Sequence, residues 1–213
     1  MKARSWMGGL VLVSVCTAGA AAAAVDASSM GGRLNYDADR TKVGVDVRLG
    51  VGGLMGDAGD RTHVGPLLGV AAGAQPWRNL GIEAGVEGQR LAIDDTRIGS
   101  GEAMYRYNVG LLAKAGPLIA QEKLRPFVGV GAGVSYFNVT DAAQGLYSND
   151  IVTEVPLAAG VDYRFGRSGI FAGARATYRV LFGEEFADGA NALTTGDSNG
   201  NMLNVSATLG GRF

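Results

Sequence analysis

The one histidine of this 213-residue chain, His63, follows Asp60 by three positions. Acyl-transfer chemistry needs a base such as histidine, a carboxylate to orient it and an activated hydroxyl or thiol as nucleophile. No serine is close to His63 in sequence, and the single cysteine, Cys16, is far away near the N-terminus. The phase of its segment points His63 inward, and it reads as a rim residue, not a catalytic base. Metal chemistry is equally thin. The acids of DADR (37–40) and of the polar stretch 184–200 lack the spacing and the turn glycine of a calcium loop. GVGAGV (129–134) lies inside an alternating stretch and not at a strand-to-helix turn, so it is no phosphate cradle. No cofactor and no metal is expected.

Ten charges carry a stronger pattern. Asp46, Arg48, Glu83, Arg106, Lys114, Asp162, Arg164, Arg175, Arg179 and Arg212 all occupy one phase of segments with period 2. The other phase, taken as far as Val86 in the third segment, holds no charge. It runs Val43, Val45, Val47, Leu49, Val51 in the first segment and Leu203, Val205, Ala207, Leu209, Phe213 in the last. Successive side chains of a strand point to opposite faces, so each segment has one apolar and one polar face. Bases exceed acids on the polar face, and Glu87 and Glu154 near the strand ends narrow the gap.

Eight such segments are predicted as strands, at 43–55, 64–75, 80–91, 104–116, 126–137, 154–165, 170–182 and 202–213. A soluble β-sandwich and a membrane β-barrel both alternate, but with opposite sense. Three features favour the barrel. The strands run to about 12 residues, against about 5 or 6 in globular sheets and about 9–11 for a tilted membrane strand. The connections after strands 2, 4 and 6 are short, whereas those after strands 5 and 7 are longer and polar. Tyr105, Tyr107, Tyr136 and Phe182 fall at one rim, and Trp77, Phe165 and Phe213 at the other, as two interfacial bands would. The predicted fold is therefore an all-β, eight-stranded, antiparallel up-and-down transmembrane barrel. Its last strand should pair with its first, because an open edge in lipid leaves backbone groups unpaired.

The N-terminus sets the compartment. Lys2 and Arg4 precede a short apolar run, Met7 to Val15, and then an alanine-rich stretch, which together read as a secretory signal peptide over 1–24. Residues 25–42 show no period and are expected as a periplasmic tail or lead-in, with the barrel over 43–213. Cys16 leaves with the signal peptide, so no disulfide is expected. With 19 basic residues against 20 acidic ones, no surplus points to nucleic acid.

On these strands the chain resembles the small eight-stranded outer-membrane barrels of the OmpA/OmpX type, over roughly 43–213. The resemblance implies outer-membrane lipid as surroundings and periplasmic termini. It also implies that the β-barrel assembly machinery reads the terminal strand, with Leu209 and Phe213 as the signal. No peptidoglycan-binding domain is expected after the barrel, so the resemblance does not imply a cell-wall anchoring role. A monomer is expected.

An eight-stranded barrel is just wide enough for side chains to fill it, so the ten charges are expected as an interior ionic network. Mirroring residues about the two hairpins pairs Asp162 with Arg175 and Glu83 with Lys114. Inward glycines (Gly44, Gly50, Gly52, Gly65, Gly69, Gly73, Gly129, Gly131, Gly133) either leave wet space or make room for long arginines. The expected function is a non-enzymatic barrel, structural or interacting through its outer loops, 184–200 foremost. The alternative is a narrow channel whose selectivity is set by Arg106, Lys114, Arg175 and Arg179. A lipid-modifying enzyme is a further alternative.

Overall fold

The computed structural model describes residues 43–93, 102–140, 150–166, 168–182 and 201–213. The predicted signal peptide, the segment 25–42 and the long loop 184–200 lie outside these residues.

The alternating stretches form eight strands: β1 (Val43–Leu54), β2 (Gly65–Ala74), β3 (Leu80–Ala92), β4 (Ala103–Ala115), β5 (Leu124–Val139), β6 (Asp150–Arg164), β7 (Ile170–Phe182) and β8 (Met202–Arg212). Each is antiparallel to its neighbour in sequence. β8 pairs with β1 from Gly44↔Arg212 to Leu54↔Met202, and the sheet closes into a barrel. Closure leaves no strand edge unpaired, as hydrocarbon surroundings require. A short 3-10 helix, Gly56–Arg61, follows β1. Two ends can be told apart. The terminal end holds Val43 and Phe213 and the turns 75–79, 116–123 and 165–169. The loop end holds the other four connections.

The apolar phase covers the outside. Leu49, Val128 and Leu209 are 63%, 63% and 61% exposed, values that suit a lipid-facing surface and not a water-facing one. Tyr107 and Tyr136 stand opposite each other on the outer face near the loop end, and Phe165 and Phe213 are exposed at the terminal end.

Two predicted registers are wrong by two residues. Asp162 stands opposite Gly173, not Arg175, and Glu83 opposite Leu112, not Lys114. The turns set the difference. The β6–β7 turn closes by Phe165 N–H donating to the Ile170 carbonyl, with Gly166 and Gly169 at positive φ, which centres the hairpin one residue earlier. Across the β3–β4 loop, Ile93 N–H donates to the Glu102 carbonyl, with the same effect. A shift of two preserves the face, so all four side chains still point inward.

The inward glycines resolve the choice left by their pattern. At Gly50, Gly52, Gly65 and Gly131 an added Cβ would overlap atoms of the adjoining strand, mostly backbone carbonyls. They allow close approach of strands in a tightly curved sheet. Gly160 and Gly210 serve aromatic rings instead. A Cβ there would lie 2.7 Å from Phe127 Cζ and 2.5 Å from Phe171 Cζ.

Gly131→Ala should therefore destabilise the barrel by about 1–3 kcal/mol through overpacking. Gly88→Ala, on the outer face with no heavy atom within 4 Å of the new Cβ, should be close to neutral. Urea titration of the barrel in lipid vesicles, followed by tryptophan fluorescence, checks the contrast. Equal midpoints for the two variants would contradict it.

Candidate functional site: the barrel interior

Inside the barrel the side chains form three layers. The middle layer is ionic. Arg106 and Glu154, both without exposed side-chain surface, pair at 2.7 Å, and the Ser135 hydroxyl donates to the same Glu154 oxygen at 2.6 Å. Arg179 reaches from β7 to the other Glu154 oxygen and also to Glu87. Arg106 Nη1 makes no hydrogen bond but lies 3.6 Å from Glu87. Arg48 approaches Glu87 at 3.5 Å and so joins this group to a second one.

The second group centres on Glu83. Arg175 grips it with two parallel hydrogen bonds of 2.9 Å, a planar fork against a carboxylate. Arg48 donates to Glu83 and, at 3.0 Å, to Asp46. Lys114 bridges Glu83 at 3.2 Å and Asp162 at 3.3 Å. Glu83 and Lys114 thus meet despite the shifted register, because long side chains reach diagonally across a narrow lumen. Asp162 and Arg175, by contrast, take other partners.

The charges in this layer balance. Arg48, Arg106, Lys114, Arg175 and Arg179 face Asp46, Glu83, Glu87, Glu154 and Asp162, five against five. Balance is what burial demands, since an unpaired charge away from water costs several kcal/mol. Arg164 and Arg212 do not belong to this layer. They sit half-buried at the terminal end, with Arg125 beside them.

Arg125 was outside the predicted strand 5, which began at Pro126. β5 starts one residue before it, and Arg125 pairs across to Asp162 in the ladder. The residue ahead of a proline favours extended backbone, a signal that admits it. Glu154 was placed at a strand end. β6 begins at Asp150, which puts Glu154 in the centre of the lumen.

The layer at the loop end is apolar, although its residues occupy the inward phase. Leu54, Leu91, Ile93, Met104, Phe137, Val139, Val152, Leu181 and Met202 are all buried and form one cluster. Sequence reasoning expected the inward phase to be polar throughout. The period-2 pattern gives each residue's face but not which inward residues share a depth. The layer at the terminal end is aromatic. Phe127 packs with Leu112 and Ala158, with Lys114 4.2 Å above its ring centroid. Phe171 carries the Arg212 guanidinium at 5.2 Å.

His63 is exposed and precedes β2, with its backbone N–H on the Ala92 carbonyl at 2.8 Å. Leu209 and Phe213 are both exposed, with Leu209 on the outer face.

Glu83→Gln leaves Arg48, Arg175 and Lys114 short of a negative charge, and should cost about 3–5 kcal/mol. Arg90→Gln, at an exposed outer-face position, should stay within about 0.5 kcal/mol. Glu83→Leu combined with Arg175→Met should recover part of the loss. Urea unfolding in vesicles measures all three. A Glu83→Gln midpoint equal to that of Arg90→Gln would show that the network carries no stability.

The comparisons with known proteins agree with this architecture. The family model described as outer membrane protein beta-barrel domain matches residues 8–213. Neisserial surface protein A (NspA) superposes with a TM-score of 0.59 at 14% identity, covering 80% of this chain and 97% of that one. Ail, the attachment invasion locus protein of Yersinia pestis, solved with the heparin analogue sucrose octasulfate, gives 0.53 at 10% identity, covering 82% and 99%. No curated protein matches by sequence. A closed eight-stranded barrel with a lipid-suited exterior and a matching family model over nearly its whole length is an outer-membrane barrel: the chain belongs to the outer membrane protein beta-barrel domain family.

Proposed function

We propose that this chain is a non-enzymatic, closed, monomeric outer-membrane barrel that acts through its outer loops. One observation carries the reading, the filled interior. A conducting pore needs a continuous polar path. Here the nine-residue apolar cluster spans the loop end of the lumen, and the ionic layer beneath it is charge-balanced and cross-linked. An apolar constriction excludes water, and balanced, paired charges offer a passing ion no net charge to follow.

With the lumen closed, the surfaces left for interaction are the outer wall and the ends. The long polar connections are at the loop end, and connections of that kind carry function in rigid scaffolds. In this reading the terminal end, with its short turns, faces the periplasm, as short-turn ends do in this architecture. Leu209 and Phe213 then present the outward face of β8 to the assembly machinery.

Planar-bilayer recording of the refolded chain should show no discrete openings above the bare-membrane baseline. Phe137→Ala with Met202→Ala, which hollows the apolar layer, should introduce brief low-conductance events. Stable openings in the unsubstituted protein, with selectivity that reverses on Arg179→Glu, would replace this reading with a channel.

A further inference from the structure

Arg125, Arg164 and Arg212 gather at the terminal mouth on three different strands, β5, β6 and β8. None of the three forms an ion pair among the described residues, although carboxylates lie deeper in the lumen. Those carboxylates are already matched. Asp46, Glu83 and Asp162 at the base of the mouth are held by Arg48, Arg175 and Lys114, three against three. The mouth therefore carries three guanidinium charges in excess of its carboxylates, which are matched by Arg48, Arg175 and Lys114. Like charges held close together repel, and they persist in one place when something else favours the arrangement.

Two of the guanidiniums converge on a single oxygen. Arg125 donates to Gln75 Oε1 at 2.7 Å, and Arg212 donates to the same atom at 3.3 Å. The Gln75 amide is turned to receive them, because its Nε2 donates to the Arg78 carbonyl at 2.7 Å. Phe171 holds the Arg212 guanidinium from below. Arg125 is further fixed by the Gly116 and Asn79 carbonyls, each at 3.4 Å. A neutral amide oxygen thus occupies a point where two cations aim their N–H groups. Gln75, Arg125, Phe171 and Arg212 line the upper part of a cavity of about 410 Å³, counting its open mouth, whose floor holds Lys114 and the matched carboxylates Asp46, Glu83 and Asp162.

We infer that the terminal mouth is a binding site for a phosphate-type oxyanion, gripped by Arg125 and Arg212 with Arg164 supplying further positive charge. Guanidinium forks match tetrahedral oxyanions, and hydrogen bonds between charged groups are about twice as strong as neutral ones. The mouth opens where the barrel meets the membrane interface. The anion is therefore either free in solution or the headgroup of a neighbouring lipid.

The test is calorimetric titration of inorganic phosphate into the refolded full chain in a non-ionic maltoside, at constant ionic strength. Saturable one-to-one binding is expected. Arg125→Gln and Arg212→Gln should each weaken it at least about tenfold. Arg90→Gln, on the outer face, should leave it unchanged. Gln75→Glu supplies a built-in carboxylate, and should abolish phosphate binding while raising the unfolding temperature, so the result does not hang on a variant that merely folds poorly. Competition by a short-chain phosphatidylglycerol below its micelle concentration would assign the site to a lipid headgroup. Phosphate binding without that competition would assign it to a free anion. Absence of saturable binding, or binding indifferent to Arg125→Gln and Gln75→Glu, would overturn the inference.

Discussion

Every backbone N–H and C=O in hydrocarbon must be satisfied by the chain itself, and the rest of this structure depends on that constraint. It forces β8 onto β1. It also turns the apolar phase outward, because the surroundings are lipid. Once the sheet has closed with only eight strands, the space inside is small, and whatever the inward phase carries must fit and be neutralised there. The glycines follow from the same cause. At Gly50, Gly52, Gly65 and Gly131 a Cβ would overlap atoms of the adjoining strand. A sheet curved this tightly brings backbone against backbone at its inner surface.

The interior solves two problems at different depths. In the middle, Glu83 and Glu154 act as the two anionic centres around which the cations assemble. Each is shared by cations from other strands, so the network ties opposite walls together and not only neighbours in the sheet. At the loop end, Leu91, Met104, Phe137 and Met202 fill the lumen with apolar side chains. A narrow barrel can hold such a plug because its wall is continuous, so apolar side chains from all sides meet at the axis. The ionic layer is shielded from water on that side, which strengthens its attractions and raises the cost of breaking them.

The terminal end differs from both. Its aromatic rings, Phe127 and Phe171, rest on Gly160 and Gly210 and support cations from beneath. The positive excess of the inward phase, which looked spread along the lumen, is confined to this mouth. Arg164 and Arg212 are half-buried and Arg125, itself buried, lines the same mouth, where water or a ligand can reach, while the deep charges cancel. Position along the axis thus separates a structural set of charges from an accessible one.

The sequence by itself determined the fold class, the strand count, the closure and the face of the ten charged residues read on the polar phase, from Asp46 to Arg212. These follow from a period of 2 and from the backbone's need for partners, both of which are local or generic. It also located the tyrosines of β4 and β5 at one rim. Only the tertiary structure decided who pairs with whom. Asp162 reaches Lys114 and not Arg175 because the β6–β7 turn is centred a residue early, and because partners meet across the lumen as well as along the ladder. Glu154 and Arg125 took their roles from strands that run past the predicted limits. The apolar plug was hidden for a related reason. Leu54, Phe137, Leu181 and Met202 lie on four different strands, and period 2 says which way each points, not that all four arrive at one depth. Depth depends on the stagger of closed strands, and stagger is fixed by turns and closure together.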